Sequence, residues 1–228
     1  SGPTFILIGT AWASGIEISA DSQNTTIRNG TITGFYGHGI TSVSNTTHYF
    51  HKGCQFLNLT VSHNYFDGIN LNNSGHLIKN CRCFSNGEDG ISVMYSVTLV
   101  DNICCDNRIG ISTLNGCVLR GNTCNLNSMD GILAGNGNSI HGNTCTYNDR
   151  IGLYAGRGST LTSNACFINF DNGIEAKGAT VIGNSSYQNG NHGIYLRGDS
   201  YVAQNTCYNN ATNINNCTTC TFGDNHAP

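Results

Sequence analysis

The chain is poor in charge, in proline and in long apolar runs. Of its 228 residues 10% are charged and two are proline, and the formal net charge is -3. This composition excludes the basic footprint of a nucleic-acid-binding protein and the charge density of a disordered chain. No apolar run approaches the ~20 residues that a membrane helix needs. We therefore expect neither nucleic acid nor a membrane span.

The sequence also lacks the marks of a helix and of an export signal. Apolar residues nowhere hold the i, i+3, i+4, i+7 spacing of an amphipathic helix over two turns. The first residues lack the basic start and the small-residue cleavage site of a signal peptide. Either such a signal has been removed or the chain begins inside a longer protein. We expect residues 1–228 to form one domain, which the second alternative would make a fragment of a longer chain.

What the sequence has in abundance is a repeat of about twenty-one residues, in which glycine is followed by Ile or Leu. These glycines are Gly15, Gly39, Gly68, Gly90, Gly110, Gly131, Gly152, Gly173 and Gly193, and Asn213-Ile214 is a tenth, degenerate copy. Between them runs the pattern apolar-x-x-Asn-x-Cys/Ser-x-x-Asn. Each repeat thus predicts three short strands separated by Asn- and Gly-rich bends. Because one repeat is too short to bury its own apolar face, the repeats must stack.

Two series of asparagines are expected to stack between coils as ladders. Asparagine tolerates the left-handed conformation that a sharp bend needs, and its amide can bond to the asparagine one coil away. The first ladder comprises Asn102, Asn122, Asn143, Asn164, Asn184 and Asn205; the second comprises Asn86, Asn107, Asn127, Asn148, Asn169 and Asn189.

The repeat resembles the right-handed parallel β-helix of the pectin-lyase-like superfamily, and the resemblance covers essentially the whole chain. It implies an all-β fold, a single-stranded solenoid of about ten coils with three short strands per coil. At ~4.8 Å per coil the rod would be ~48 Å long. Its inner face would carry Ile69/Leu71, Ile91/Val93, Ile132/Ala134, Ile174/Ala176 and Ile194/Leu196.

The spacing of the twelve cysteines argues against a disulfide scaffold. Five of them fall two residues after an asparagine of the first ladder, where the alternation points inward: Cys104, Cys124, Cys145, Cys166 and Cys207. Ser186 takes the same position in the remaining coil. We expect a buried column of reduced thiols, because free cysteine packs as a small apolar residue. Cys217 and Cys220 are the best candidates for a disulfide or a metal pair.

Carboxylates stand directly before several coil glycines, at Asp67, Asp89 and Asp130. In this fold that position ends a turn and borders the groove along the first strand of each coil. Asp67 and Asp89 lie on adjacent coils, ~4.8 Å apart, so their repulsion would raise one pKa and make an acid–base pair. The competing interpretation is ordinary turn chemistry, which repeat proteins reuse in every coil.

The Asp-Gly-Ile register is similar to that of polygalacturonases, whose catalytic aspartates stand before the Gly-Ile strand. The order of "SHNYFDGI", "SNGEDGI" and "DNRIGI" is similar to the motifs of alginate C5-epimerases. The second resemblance implies that His63, Tyr65 and Asp67 flank the sugar and that Arg108 neutralises a uronate carboxylate. Glu88 completes the predicted catalytic group. Ile109 stands where the epimerases carry a catalytic histidine.

Other side chains are predicted to bind substrate. The irregular interval after Gly39 contains an insertion with exposed aromatics, a usual place for function, although a loop packed on its own coil is the alternative. The predicted substrate-binding residues are His38, the insertion residues His48, Tyr49, Phe50, His51 and Lys52, then Asp130, and in the last coils Tyr154, Glu175, Lys177, His192, Tyr195 and Arg197.

We predict a carbohydrate-active β-helix that binds a polysaccharide along the first-strand groove and processes it as an epimerase, a lyase or a glycoside hydrolase. The alternative is a non-catalytic structural or adhesive module of a surface protein or phage fibre. No cofactor is predicted, except that a calcium ion could join the carboxylate face. Open coil ends predict a homo-oligomer or flanking domains, and the expected location is extracellular or at a surface.

Overall fold

The computed structural model describes residues 5–9, 12–19, 22–42, 53–215 and 217–228, and within these ranges the chain is built from strands and turns. The strands are β1 (Phe5–Ile8), β2 (Ile16–Ile18), β3 (Thr26–Thr33), β4 (Ile40–Ser42), β5 (Gln55–Ser62), β6 (Ile69–Leu71), β7 (Leu77–Lys79), β8 (Arg82–Phe84), β9 (Ile91–Tyr95), β10 (Thr98–Val100), β11 (Ile103–Cys105), β12 (Ile111–Asn115), β13 (Val118–Arg120), β14 (Thr123–Asn125), β15 (Ile132–Ala134), β16 (Ser139–His141), β17 (Thr144–Thr146), β18 (Leu153–Ala155), β19 (Thr160–Thr162), β20 (Ala165–Phe167), β21 (Ile174–Lys177), β22 (Thr180–Ile182), β23 (Ser185–Tyr187), β24 (His192–Arg197), β25 (Tyr201–Ala203), β26 (Thr206–Tyr208), β27 (Thr212–Ile214) and β28 (Thr221–Phe222). No helix among the described residues is long and apolar enough to cross a membrane.

The strands stack coil upon coil into a parallel β-solenoid of about ten turns, which confirms the predicted fold. One face is a ten-stranded sheet, β2-β4-β6-β9-β12-β15-β18-β21-β24-β27, and every pairing in it is parallel. The other eighteen strands form a second sheet of two parallel columns, which β3 and β5 join by running through both. A regular coil therefore contributes three short strands, as the repeat predicts.

One apolar core runs along the inside of the rod. The residues predicted for the inner face are all buried there, and Phe56 is the largest side chain with no exposed surface. The coil glycine is required by close approach between coils. A Cβ on Gly110 would lie 2.5 Å from the carbonyl oxygen of Gly131 and 2.9 Å from Nδ2 of Asn127. Any larger residue would push two coils apart.

Both asparagine ladders are present and longer than predicted. In the first, the Oδ1 atom of Asn143 accepts hydrogen bonds from the backbone N–H and the Nδ2 of Asn122, each at 2.9 Å. The same Asn122 Nδ2 donates to the carbonyl of Leu99. The first ladder continues to Asn225, and the second runs from Asn64 to Asn210. Each buried amide thus bonds two neighbouring coils.

The expectation that the ladder asparagines adopt the left-handed conformation was wrong. The residue directly before each ladder asparagine up to Asn210 does so, for example Asp101 at φ 54° and Leu126 at φ 57°. The left-handed residue makes the bend, and this turns the next side chain, the amide, into the core. Asparagine is selected at the position after it for its two hydrogen-bonding groups.

The inward cysteines form the predicted column, and it begins one coil earlier than predicted. Cys83, Cys104, Cys124, Cys145 and Cys166 are aligned by the strand register, and Ser186 follows. All are fully buried, and the cysteines are free thiols. Burial raises the pKa of the Cys104 and Cys124 thiols well above its usual value. Cys217 and Cys220 form the one disulfide, at the C-terminal end.

Replacing a ladder asparagine should destabilise the whole rod. We expect Asn143→Ala to lower the free energy of unfolding by at least about 1–3 kcal/mol, because it leaves buried backbone groups without partners. The matched control is Asn125→Ala, which removes an amide from the half-buried outer side of β14. Chemical denaturation followed by circular dichroism measures both; equal losses would contradict a special role for the ladder.

The thiol column predicts slow cysteine chemistry. Nine of the ten free cysteines are buried and Cys105 is half-buried, so at most Cys105 should react with a thiol reagent in the folded protein. All ten should react after unfolding in denaturant without reductant. Mass spectrometry should find one disulfide, between Cys217 and Cys220. Several reactive thiols in the native protein, or further disulfides, would refute the column.

Candidate functional site

The residues before the coil glycines form a column in which a side chain caps the next coil. Asp67 accepts the backbone N–H of Asp89 at 2.8 Å, and Asp130 accepts that of Ile151 at 3.1 Å. Asn172 does the same for the next coil. These side chains are buried, so they do not simply border an open groove as the sequence predicts. They turn along the rod axis because an amide one coil away needs an acceptor.

Asp89 departs from this capping pattern. Its Oδ1 atom accepts a hydrogen bond from Nη2 of Arg108 at 2.9 Å. Nε of the same guanidinium lies 2.5 Å from Oε2 of Glu88. Glu88 and Arg108 occupy the position two residues before the coil glycine on successive coils, and their backbones are hydrogen-bonded. The structure thus brings together Glu88, Asp89 and Arg108, and Asp67 adjoins them through the Asp89 amide.

The two neighbouring aspartates differ in their affinity for a proton. Burial, followed by the charge of Asp67, raises the pKa of Asp89 to about 7, although Arg108 opposes the shift. Burial alone would raise the pKa of Asp67 as well. Hydrogen bonds from His38, Asn70 and the Asp89 amide instead hold the pKa of Asp67 below its ordinary value. At neutral pH the pair thus combines an ionised carboxylate with a carboxyl group that can carry a proton.

The imidazole of His38 contacts both the backbone and the side chain of Asp67. Its Nδ1 atom lies 3.2 Å from both the backbone nitrogen and Oδ2 of Asp67. A neutral imidazole can accept from the amide there, whereas a protonated one donates to the carboxylate. The Asn70 side chain donates to the same Oδ2. His38 therefore contacts Asp67 directly, and its imidazole is half-buried.

An open depression of about 810 Å³ reaches these carboxyl groups at Glu88, whereas the buried Asp67 and Asp89 do not line it. His63, Tyr65 and Glu88 line it, together with Tyr36. The rings of Trp12 and Tyr36 are stacked with centroids 5.0 Å apart, and Tyr36 lies 6.5 Å from Tyr65. Trp12 is 88% exposed and Tyr65 62%. Three neighbouring coils thus present an aromatic row to solvent.

Trp12 and Tyr36 are absent from the predicted site. Both, like Tyr65, stand three residues before a coil glycine, namely Gly15, Gly39 and Gly68. The sequence contains this shared position. The intervals on either side of Gly39 are longer than the usual repeat, so the alignment of the first coils is difficult to recognise from the sequence.

The predicted residues of the last coils form a separate group. Glu175 is buried, and it accepts from Asn172 at 3.2 Å and pairs with Nε of Arg197 at 3.0 Å. His192 contacts Tyr195 with ring centroids 4.8 Å apart, and the Arg197 guanidinium lies over the Tyr195 ring. Tyr154 and Lys177 flank the group on β18 and β21, and Lys177 is exposed.

Asp130 does not join the candidate site. Asp130 pairs with Nε of Arg150 at 3.4 Å, two coils beyond Asp89. The insertion with His48, Tyr49, Phe50, His51 and Lys52 lies outside the described residues. Within the described ranges, no group of three or more His, Cys, Asp or Glu side chains could hold a metal ion. A calcium ion at the carboxylate face stays a prediction.

Comparison with solved structures finds the same fold at low sequence identity. The Azotobacter vinelandii mannuronan C-5 epimerase AlgE6 A-module aligns with a TM-score of 0.76 and 16% identity over 90% of this chain and 65% of that one. The periplasmic alginate epimerase AlgG aligns with a TM-score of 0.78 and 13% identity over 91% and 60%. The Dettilon tailspike protein aligns with a TM-score of 0.60 and 15% identity over 96% and 57%. This chain therefore spans about two thirds or less of each of these structures.

No curated protein sequence matches the chain. A family model described as the right handed beta helix region matches residues 48–178, which is more than half of the sequence. Together with the ten-turn parallel solenoid, this match shows that the chain belongs to the right handed beta helix family.

Proposed function

We propose that the chain binds a polysaccharide on the aromatic row of its first coils and processes it by acid–base chemistry at Asp67 and Asp89. The observation that carries this proposal is a pair of unlike carboxyl groups, of which Asp89 directly follows Glu88, a residue that lines the open aromatic depression. One is ionised and the other has its pKa raised to about 7. Unlike pKa values in neighbouring carboxyl groups are the arrangement that acid–base catalysis needs at neutral pH.

In this proposal Asp89 is the general acid and Asp67 is the ionised partner. Asp89 would protonate the oxygen that leaves when a sugar–sugar bond breaks, while a water molecule forms the new bond to the sugar carbon and gives its proton to the Asp67 carboxylate. Asp67 cannot take that role as readily, because its hydrogen bonds from His38 and Asn70 favour the charged form. The Glu88 carboxylate lines the depression itself and is available to orient sugar hydroxyls.

Arg108 is better suited to positioning than to neutralising a substrate. The resemblance to epimerases implies that its guanidinium faces a uronate carboxylate, but here Glu88 and Asp89 already surround it. A charge balanced by two carboxyl groups attracts a further anion weakly. Hydrolysis of a glycosidic bond, which needs no neutralised uronate carboxylate, is therefore favoured over epimerisation and over cleavage by a lyase. Tyr154, Lys177, Tyr195 and Arg197 would contact sugars further along the ten-stranded sheet.

The aromatic row supports a carbohydrate ligand. Flat aromatic faces exposed side by side present apolar area to sugar rings while their edges stay hydrated. The similarity to structures named as mannuronan and alginate epimerases supports the same ligand class and a location outside the cytoplasm. Flanking domains or a second copy would cover β1, which exposes Ile6 and Ile8.

A specific observation favours a second candidate, a non-catalytic adhesive module. Asp67 and Asp130 both cap the next coil, so their carboxylates have a structural reason to be present. The fold is also similar to that of a tailspike protein. In this candidate the aromatic row binds a glycan and no bond is broken.

Substitution of Asp89 tests the catalytic role. Asp89→Asn should lower kcat for polysaccharide cleavage by about 10²–10⁴-fold, since the amide cannot donate the proton, and the fold should persist. The matched control is Asp130→Asn, in the same buried column. A reducing-sugar assay and absorbance at 235 nm over a panel of acidic and neutral polysaccharides measure the activity. Equal activity in wild type and Asp89→Asn would refute the catalytic role of Asp89, whereas a wild type that cleaves no polysaccharide of the panel would favour the adhesive module.

The pH profile gives an independent test of the same group. A general acid must be protonated to act, so kcat/KM should fall as the pH rises through about 7, the pKa of Asp89. A descending limb near pH 4 would instead assign the acid to a carboxyl group with an ordinary pKa.

The aromatic row should carry glycan affinity. Tyr65→Ala should weaken binding of the polysaccharide that the panel identifies by about 1–3 kcal/mol, typical of central aromatic contacts. The melting temperature should change little because the ring is largely exposed. Tyr201→Ala, which removes an exposed ring elsewhere on the rod, is the control for calorimetry and thermal melts. A large loss of stability with unchanged affinity would show that the row is structural.

A further inference from the structure

Two separate depressions lie along the second asparagine ladder of the rod. Each ladder asparagine turns inward, so the residues before and after it flare outward on either side. In the first coils these flanking residues include His63 and Tyr65, and they form the depression described above. We use the name ladder groove for the row of residues that flank Asn64, Asn86, Asn107, Asn127, Asn148, Asn169 and Asn189.

The second depression lies in the C-terminal half of the ladder groove. It has a volume of about 690 Å³, with Tyr147 and Ile168 on one wall, Asp149 and Phe170 on the other, and ladder asparagines between them. Tyr65 and Phe170 occupy the same position five coils apart, from Gly68 to Gly173. At ~4.8 Å per coil this separation is ~24 Å.

The two depressions share a construction. In each, the next coil carries a glycine beside the aromatic wall residue. A Cβ on Gly87 would lie 2.1 Å from the Tyr65 carbonyl oxygen, and a Cβ on Gly190 would lie 2.0 Å from that of Phe170. With no side chain on the next coil, one side of each ring stays uncovered. Phe170 is accordingly 80% exposed.

The opposite wall is built at a cost to stability. Leu126, Tyr147 and Ile168 all have φ between 54° and 57°, a conformation that is unfavourable for bulky and above all for β-branched residues. Ser85, Asp106 and Gln188 hold the same position in other coils. Leu126 and Tyr147 are also more than half exposed. Leu126 and Tyr147 are thus strained and exposed apolar residues that do not serve the core, and the half-buried Ile168 is strained in the same way. Strained residues cluster at functional sites.

We infer that the second depression is a distal glycan subsite that takes neutral pyranose units of a chain whose other part lies at Tyr65. This inference rests on the proposed function as far as the ligand class is concerned. Asp149 lines the subsite, and the nearby Arg150 is paired with Asp130, so a sugar carboxylate would be repelled there. The Phe170 and Tyr147 rings would stack on sugar faces, and Gln188 and Asp149 would bond hydroxyl groups.

Binding measured against chain length tests the subsite. Calorimetry uses neutral β-1,4-linked trisaccharides and decasaccharides of mannose, glucose and xylose, and a mannuronan decasaccharide with a carboxylate on every unit. At least one neutral decasaccharide should bind wild type more tightly than its trisaccharide. Phe170→Ala should weaken that decasaccharide about tenfold, with little effect on the trisaccharide. Phe170→Tyr should restore the affinity, Tyr201→Ala should have no effect, and mannuronan should show no dependence on Phe170.

The outcomes separate this inference from the proposed function. If Phe170→Ala leaves every affinity unchanged, if no neutral oligosaccharide binds, or if mannuronan depends on Phe170 as strongly, the subsite is refuted. If Phe170→Ala instead changes the sedimentation coefficient and not glycan binding, the depression is a contact between copies of the chain. Suppose that no polysaccharide of the panel is cleaved, but that a decasaccharide binds more tightly than its trisaccharide and Phe170→Ala abolishes this difference. That result would refute catalysis and support the subsite.

Discussion

Each coil of the rod is held to the next by buried amide side chains as well as by strand pairing. A ladder asparagine accepts from the backbone and the side chain of one neighbouring coil and donates to a carbonyl of the core wall. Such groups are costly to bury unless all their bonds are made, and a shift of one residue would break every bond in the ladder. The ladders therefore fix the register of the coils, and all other features depend on that register.

The same register places the candidate site. Asp67 and Asp89 are neighbours because the position before the coil glycine repeats, and Asp67 caps the amide of Asp89 for the same reason. This contact contributes to the difference between the two pKa values, because it favours the charged form of Asp67 and brings that charge close to Asp89. Burial of Asp89 and the hydrogen bonds that His38 and Asn70 make to Asp67 contribute more.

The sequence predicts the fold almost completely and the site only in part. The glycine spacing, the two asparagine series and the inward cysteines each report an interaction that every coil repeats, so one chain contains many copies of the signal. The site depends on features that occur once. The sequence predicts that Asp67 borders a groove. In the structure its side chain points along the rod axis and accepts a hydrogen bond from a backbone amide of the next coil. The pairing of Arg108 with Glu88 could not be predicted from the sequence. The coil from Gly90 to Gly110 is one residue shorter than the coil that follows it, and the pairing depends on how the turn of the shorter coil accommodates this difference.

Because every coil bonds only to its two neighbours, the rod tolerates changes of length in whole units. Inserting or deleting about twenty-one residues would preserve both ladders, whereas a change of one residue must be absorbed in a turn, as between Gly90 and Gly110. Duplication of a coil between Gly110 and Gly152 would move Phe170 away from Tyr65 by one coil spacing, ~4.8 Å, without altering either surface. The number of coils therefore sets the distance between two surface sites. Evolution can add or remove whole coils so that this distance matches the repeat distance of an extended molecule.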